Sequence, residues 1–104
     1  MPETRVVHVN SQEWRDTPEG QRVYIGRRVG TRFTGSVFGN PFKVTDRCPR
    51  EMAIEKYRGW LENRMAQDPQ LRISMLNLRG RVLGCWCKPE ACHGDVLVEL
   101  IERA

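Results

Sequence analysis

Arg81-Val82-Leu83-Gly84-Cys85-Trp86-Cys87-Lys88-Pro89-Glu90-Ala91-Cys92-His93-Gly94-Asp95-Val96-Leu97-Val98-Glu99-Leu100-Ile101 runs from a short apolar stretch through a polar turn into an amphipathic stretch. Arg81 to Trp86 reads as a strand. Val96, Leu97, Leu100 and Ile101 recur at helical spacing and form the stripe of a closing helix. A strand that hands over directly to a helix is the elementary step of an α/β sheet.

Working outward, Val6, Val7 and Val9 within Arg5 to Asn10 read as a first, largely buried strand. Glu13 to Gln21 is polar, carries Pro18 and Gly20, and reads as a loop. Arg22 to Gly26 reads as a second short strand. Arg27 to Val44 is punctuated by Gly30, Gly35, Gly39 and Pro41 and lacks helical periodicity. Loops of that length in small domains tend to be functional, so this one is expected to wrap over a site. Pro49 suits a first helical position, and Glu51 complements the helix dipole. Ala53, Ile54, Tyr57, Trp60, Leu61 and Met65 then supply one apolar face. Asp68-Pro69 caps and starts another helix through Leu71, Ile73, Met75, Leu76 and Leu78, which Gly80 can stop. The expectation is a single small α/β domain over 1–104, a short mostly parallel sheet flanked by about three helices in two or three layers.

Composition bounds the function. A chain of 104 residues buries one modest core. With 29% charged and 39% hydrophobic residues it belongs with soluble globular domains, and no apolar run approaches the roughly 20 residues needed to span a bilayer. Met1-Pro2-Glu3-Thr4 lacks a basic-then-apolar pattern, so neither a secretory signal nor a membrane partner is expected, and the default compartment is cytoplasmic. Fourteen Arg stand against three Lys. Arg presents a planar fork matched to phosphate and carboxylate, although GC-rich coding gives the same bias. Acidic residues are interspersed and no Lys/Arg run exceeds two, so a nucleic-acid partner has weak support.

Three of the four cysteines and one of the two histidines fall within nine positions, where a strand's carboxyl end meets a helix. Ligands of open α/β sheets gather there. In a reducing cytosol, clustered cysteines are metal ligands or functional thiols more often than structural disulfides. Cys85 and Cys87, one residue apart, are poorly placed for a relaxed disulfide with each other.

Three readings compete. Cys85, Cys87, Cys92 and His93 could bind one zinc ion, with Cys48 as a substitute ligand. The residue types suit such a site, but the spacing departs from a zinc knuckle. Alternatively, Ala91-Cys92-His93-Gly94-Asp95 opens a helix whose unpaired N–H groups attract an anion. Cys92 would then be a thiolate of lowered pKa, His93 a proton shuttle and Asp95 its orienting partner, a catalytic set. Arg27 or Arg28 would clamp a phosphate and Asn40 would read a base or amide edge. In the third reading Gly84-Cys85-Trp86-Cys87 is a core strand and His93 a helix-start cap. Plain thiol redox chemistry is weaker still, since no Cys-x-x-Cys pair is present. Elsewhere, Gly39-Asn40-Pro41-Phe42 reads equally as a tight turn. Tyr24 and Trp60 read as core and His8 as structural; Arg47 and Arg50, at a helix start where cations are not favoured, read as surface cations or as facing an anion or partner.

Tyr24-Ile25-Gly26-Arg27, Gly39-Asn40-Pro41-Phe42, Ala53 to Leu61, and Leu83 to Pro89 with Cys92 to Leu97 together resemble the bacterial and phage family called domain of unknown function 4326. The resemblance runs from Val6 to Ile101. The C-terminal part is also similar to domain of unknown function 488, which opens its last helix with Cys-His-Arg. Gly94 stands at that third position here, so the arginine's role does not carry over. The resemblance implies a fold and a site, not an activity. The expected function is binding of a small phosphorylated or nucleotide-like ligand, with processing as an extension. The alternative is a zinc-stabilised interaction module acting on a host protein or nucleic acid, in the host cytoplasm if the chain is viral.

Overall fold

The computed structural model describes residues 3–103, so Met1, Pro2 and Ala104 at the ends of the expected 1–104 domain lie outside it. Three strands, β1 (Arg5–His8), β2 (Arg22–Tyr24) and β3 (Val82–Cys85), form one sheet in the order β1-β3-β2. Both pairings are parallel, with Val7 and Tyr24 opposite Gly84. Backbone bonds from Val9 N–H to Cys85 O and from Ile25 N–H to Gly84 O carry both ladders one residue further, at 3.0 Å each. The carboxyl ends of all three strands therefore converge around Cys85.

Alternation along β3 sorts its side chains between two cores. Val82 joins Val7, Val9 and Trp14 on one face; Leu83 and Cys85 join the larger cluster on the other. Trp14 belongs to α1 (Gln12–Asp16), in a stretch expected to be a loop. The helix forms because the Ser11 hydroxyl accepts from Trp14 N–H and the indole is buried. Burial of one large side chain outweighs the polar appearance of its neighbours. A 3₁₀ turn at Glu19–Gln21 then leads into β2.

Three longer helices cover the opposite face: α2 (Arg50–Gln67), α3 (Pro69–Leu76) and α4 (His93–Arg103). Pro49 is the N-cap of α2 rather than its first residue. Ala53, Tyr57 and Leu61 are buried, while Ile54, Trp60 and Met65 flank them. Asp68 caps α3 by accepting from Gln70 and Leu71 N–H, with Pro69 at the first turn. After it, Gly80 adopts a φ of 81°, which only glycine takes without strain, and its N–H reaches Thr4 Oγ1 at 2.7 Å. The stripe expected on α4 is buried: Val96, Leu97, Leu100 and Ile101. Among the described residues the architecture is thus three-layered α/β, with an all-parallel sheet and four α-helices. Among the described residues no helix is long and apolar enough to cross a membrane.

Candidate functional site

The two crossovers run on opposite faces of the sheet, α1 on one and α2–α3 on the other, which leaves a crevice at the strands' carboxyl ends. A cavity of about 400 Å³ occupies it. Its floor is Cys85, Cys92 and His93; Tyr24 and Trp86 form one wall; the segment 27–44 supplies much of the rest. That segment folds over the cavity because it is pinned at several points. Ser36 N–H donates to Gly26 O, Tyr57 Oη donates to Phe38 O at 2.7 Å, and Arg27 donates from Nε and Nη2 to Asn40 O.

The expected site residues meet different fates. Arg27 lines the cavity, and its contacts with Asn40 leave Nη1 for a ligand. Arg28 is exposed, lies toward Gly30 O and does not line the cavity. Of the two arginines expected to clamp a phosphate, only Arg27 lines the cavity. Asn40 sits at the cavity wall, with its amide hydrogen-bonded to the backbone. Oδ1 accepts from Phe42 N–H at 2.9 Å in an Asx turn, and Nδ2 reaches Ala53 O at 3.4 Å. Asn40 shapes the turn and ties it to α2, with one N–H and one lone pair of its amide left over.

Cys92 is the N-cap of α4. Its Sγ accepts from Gly94 N–H at 3.2 Å, while Asp95 Oδ2 accepts from Cys92 N–H at 3.1 Å. This reciprocal pair is a capping box with sulfur in the place of a hydroxyl. Asp95 also holds Lys88 in an ion pair. Its carboxylate is committed to the helix start and does not hydrogen-bond to His93, contrary to the expected relay.

The sulfurs of Cys92 and Cys85 lie 3.5 Å apart, with the Cys92 thiol donating. That hydrogen bond, aided by the N–H groups of Lys88 and Cys87, pulls Cys85 down to about 6 against the cost of burial. The same shared proton, together with burial and the Cys85 charge, pushes Cys92 up. The direction at Cys92 is opposite to the expected lowering: the Gly94 N–H lowers it, but the hydrogen bond to Cys85 and burial raise it more. Burial likewise raises the Tyr57 phenol.

His93 is buried, its ring edge-on to Tyr57 at 5.0 Å between centroids, with Nε2 2.8 Å from Ile25 O. Only an N–H can pair with a carbonyl, so Nε2 carries the proton and Nδ1 is the nitrogen left for a ligand. Desolvation lowers its pKa, the Ile25 contact opposes this, and Arg27 adds to the lowering. A neutral folded-state His93 makes the protein acid-sensitive. Below the ordinary 6.5 the unfolded chain binds a proton that the folded chain refuses. This contribution to stability is complete above 6.5 and is lost as pH falls toward the lowered folded value. Urea titrations at about pH 7.5 and about pH 5.5 should show a loss of up to about 1.4 kcal/mol per pH unit. His93→Gln, which can still donate to Ile25, should remove that part of the slope; an unchanged slope would refute the assignment.

Cys85, Cys87, Cys92 and His93, expected as a zinc set, all line the cavity. His93 Nε2 is held by Ile25 O, and Cys48 lies in the turn at Thr45, away from the cavity lining. Among the described residues no three His, Cys, Asp or Glu side chains stand together as a metal-holding group. The residues as arranged do not fit a Cys₃His centre.

Other lining residues were read differently or passed over. Tyr24, expected in the core, is half-buried at the cavity wall. Its Oη bonds to Arg27 O and accepts from Trp86 Nε1 at 2.9 Å, and its ring stacks on Phe33. Trp86, 38% exposed, stands edge-on to His8 and Phe33. Lys43 and Phe42 line the cavity beside the Asn40-Pro41 turn. Arg50 lines it too, bridged to Glu90 and donating to Ala91 O. The signal for Lys43 was its place just after a rigid turn; Arg50 offered only its position at a helix start, where cations are not favoured.

These observations define a class: a small three-layer α/β protein with a cavity at the carboxyl edge of a parallel sheet, floored by two cysteines and a histidine. The chain belongs to the family described as domain of unknown function (DUF4326), whose sequence model matches residues 7–103. It is similar to an "Uncharacterized 12.4 kDa protein in nrdA-td intergenic region" of Enterobacteria phage T4, with 35% identity over 69 residues. That match covers 66% of this chain and 63% of the phage protein's length. No solved structure matches the chain.

Proposed function

We propose that the cavity binds a small phosphorylated, nucleotide-like ligand. The observation that carries this reading is the meeting of cations and aromatic faces on one open cavity. Arg27, Lys43 and Arg50 line it together with Tyr24, Phe42 and Trp86. Among the described residues Lys43 has no anionic partner, which leaves its ammonium for a ligand. About 400 Å³ lies within the roughly 300–1,000 Å³ usual for small-molecule sites. The position beyond the strand ends is where ligands of open parallel sheets bind. Processing of the ligand would fall to Cys85, the thiolate of the pair, rather than to Cys92, with His93 Nδ1 as the neighbouring base.

Calorimetric titration with a nucleoside monophosphate, ribose 5-phosphate and inorganic phosphate tests the reading. Saturable binding of the nucleotide, weaker for the sugar phosphate and weakest for phosphate, is the expected order. Lys43→Ala should weaken nucleotide binding about tenfold or more, the value of a lost charge-assisted contact. Trp86→Ala should weaken the nucleotide but leave ribose 5-phosphate nearly unchanged. No saturable heat from either organic phosphate would sink the proposal.

A further inference from the structure

We propose that Cys85 and Cys92 form a hydroperoxide-reactive dithiol, whose disulfide closes across the floor of the cavity. Their spacing is not one that sequence patterns associate with redox pairs, since six residues separate them. The fold supplies the proximity. Cys85 ends β3, Cys92 caps α4, and the intervening turn reverses the chain so that the two sulfurs lie 3.5 Å apart. A disulfide needs a separation of about 2.0 Å, so closure asks for an approach of only about 1.5 Å.

Access decides the oxidant. Both cysteines are 1% exposed, yet both line the cavity. A small hydroperoxide can reach them through that opening, whereas a bulky disulfide such as oxidised glutathione would have to fit its whole peptide into it. In the first step the Cys85 thiolate attacks a peroxide oxygen, the O–O bond breaks, and hydroxide leaves. Cys85 is then a sulfenic acid, oxidised by two electrons, and the peroxide is reduced. In the second step Cys92 sulfur attacks Cys85 sulfur, the S–O bond breaks, and the leaving hydroxide takes the Cys92 proton to become water. Two equivalents of a small thiol restore the dithiol by successive exchanges and leave as their own disulfide. Closure would also alter the helix start, because the sulfur that accepts from Gly94 N–H becomes part of the bridge.

Cys87 is the natural competitor, being half-buried and also on the cavity lining. The sequence supplies a clean way to separate the outcomes. All three clustered cysteines fall between Arg81 and Arg103, and cleavage after Glu90 parts Cys85 and Cys87 from Cys92. Reduced protein is treated with hydrogen peroxide, thiols are blocked, and the chain is cut after Arg and Glu residues for mass spectrometry. The expected product in wild type and in Cys87→Ser is the two fragments joined, with loss of two hydrogen atoms and reversal by dithiothreitol. Cys92→Ser, whose hydroxyl can keep the helix cap, should instead stop at sulfenic or sulfinic acid on Cys85. Loss of the linkage in Cys87→Ser, or oxygen addition without linkage in wild type, would overturn the proposal. The readout needs no ligand, so it stands or falls separately from the nucleotide reading.

Discussion

Tyr57→Ala should lower unfolding free energy by about 3–5 kcal/mol, the usual loss for a buried aromatic side chain. Tyr57 is fully buried at the centre of the larger core. Its ring packs on Trp60 and meets His93 edge-on, and its hydroxyl holds Phe38 O, the anchor of the segment that covers the cavity. The loss is severe against the roughly 5–15 kcal/mol typical of a domain this size. Tyr57→Phe separates the two roles. It keeps the ring and leaves the Phe38 carbonyl without its partner, at a cost of about 1–3 kcal/mol. Urea denaturation of both variants checks the ranking. Equal losses would mean that the hydroxyl, not the ring, carries the site; a negligible loss in Tyr57→Ala would contradict the packing.

Gly84→Val should destabilise by about 1–3 kcal/mol despite valine's preference for strands. Gly84 lies on the central strand, hydrogen-bonded on both sides. A Cβ there would come within 2.5 Å of Trp14 Cζ3 and 2.8 Å of two further ring atoms. The indole is a rigid plane wedged between α1 and the sheet, so it cannot yield as the end of a flexible chain would. A double-mutant cycle with Trp14→Ala is diagnostic. Removing the indole frees the space that valine needs, so the combined loss should fall well short of the sum of the single losses. Additive losses would place the strain elsewhere. Gly94 follows the same logic from the other face. A Cβ there would meet Ile25 Cδ1 at 2.8 Å and Val6 methyls at 2.9 Å, so a larger residue would have to displace them.

The elements that were legible in the sequence are those whose periodicity and punctuation agree. The stripe of α4, the Asp68-Pro69 start of α3 and the apolar face of α2 each follow from local spacing and capping chemistry. The helix at Gln12–Asp16 escaped because its cause is not local: a single indole finds a pocket made by Val7, Val9 and Val82. An aromatic residue on a strand, such as Tyr24, is usually core. Only the curvature of the segment 27–44 decides that it faces a cavity instead.

The site divides along the same line. By itself the sequence determined that Cys85, Cys92 and His93 lie where a strand gives way to a helix, and therefore at the carboxyl edge of the sheet where ligands bind. It could not determine that the Cys85 and Cys92 sulfurs lie within hydrogen-bond reach, that Asn40 and Asp95 hold a turn and a helix cap, or that Arg27 lines the cavity while Arg28 does not. Those outcomes depend on distances between residues remote in the chain. A thiolate is set by the donors that happen to surround it, and an amide or carboxylate is available to a ligand only if no backbone group has claimed it first. Residue type and spacing fix where chemistry can occur; the three-dimensional competition for hydrogen bonds decides which atoms remain to perform it.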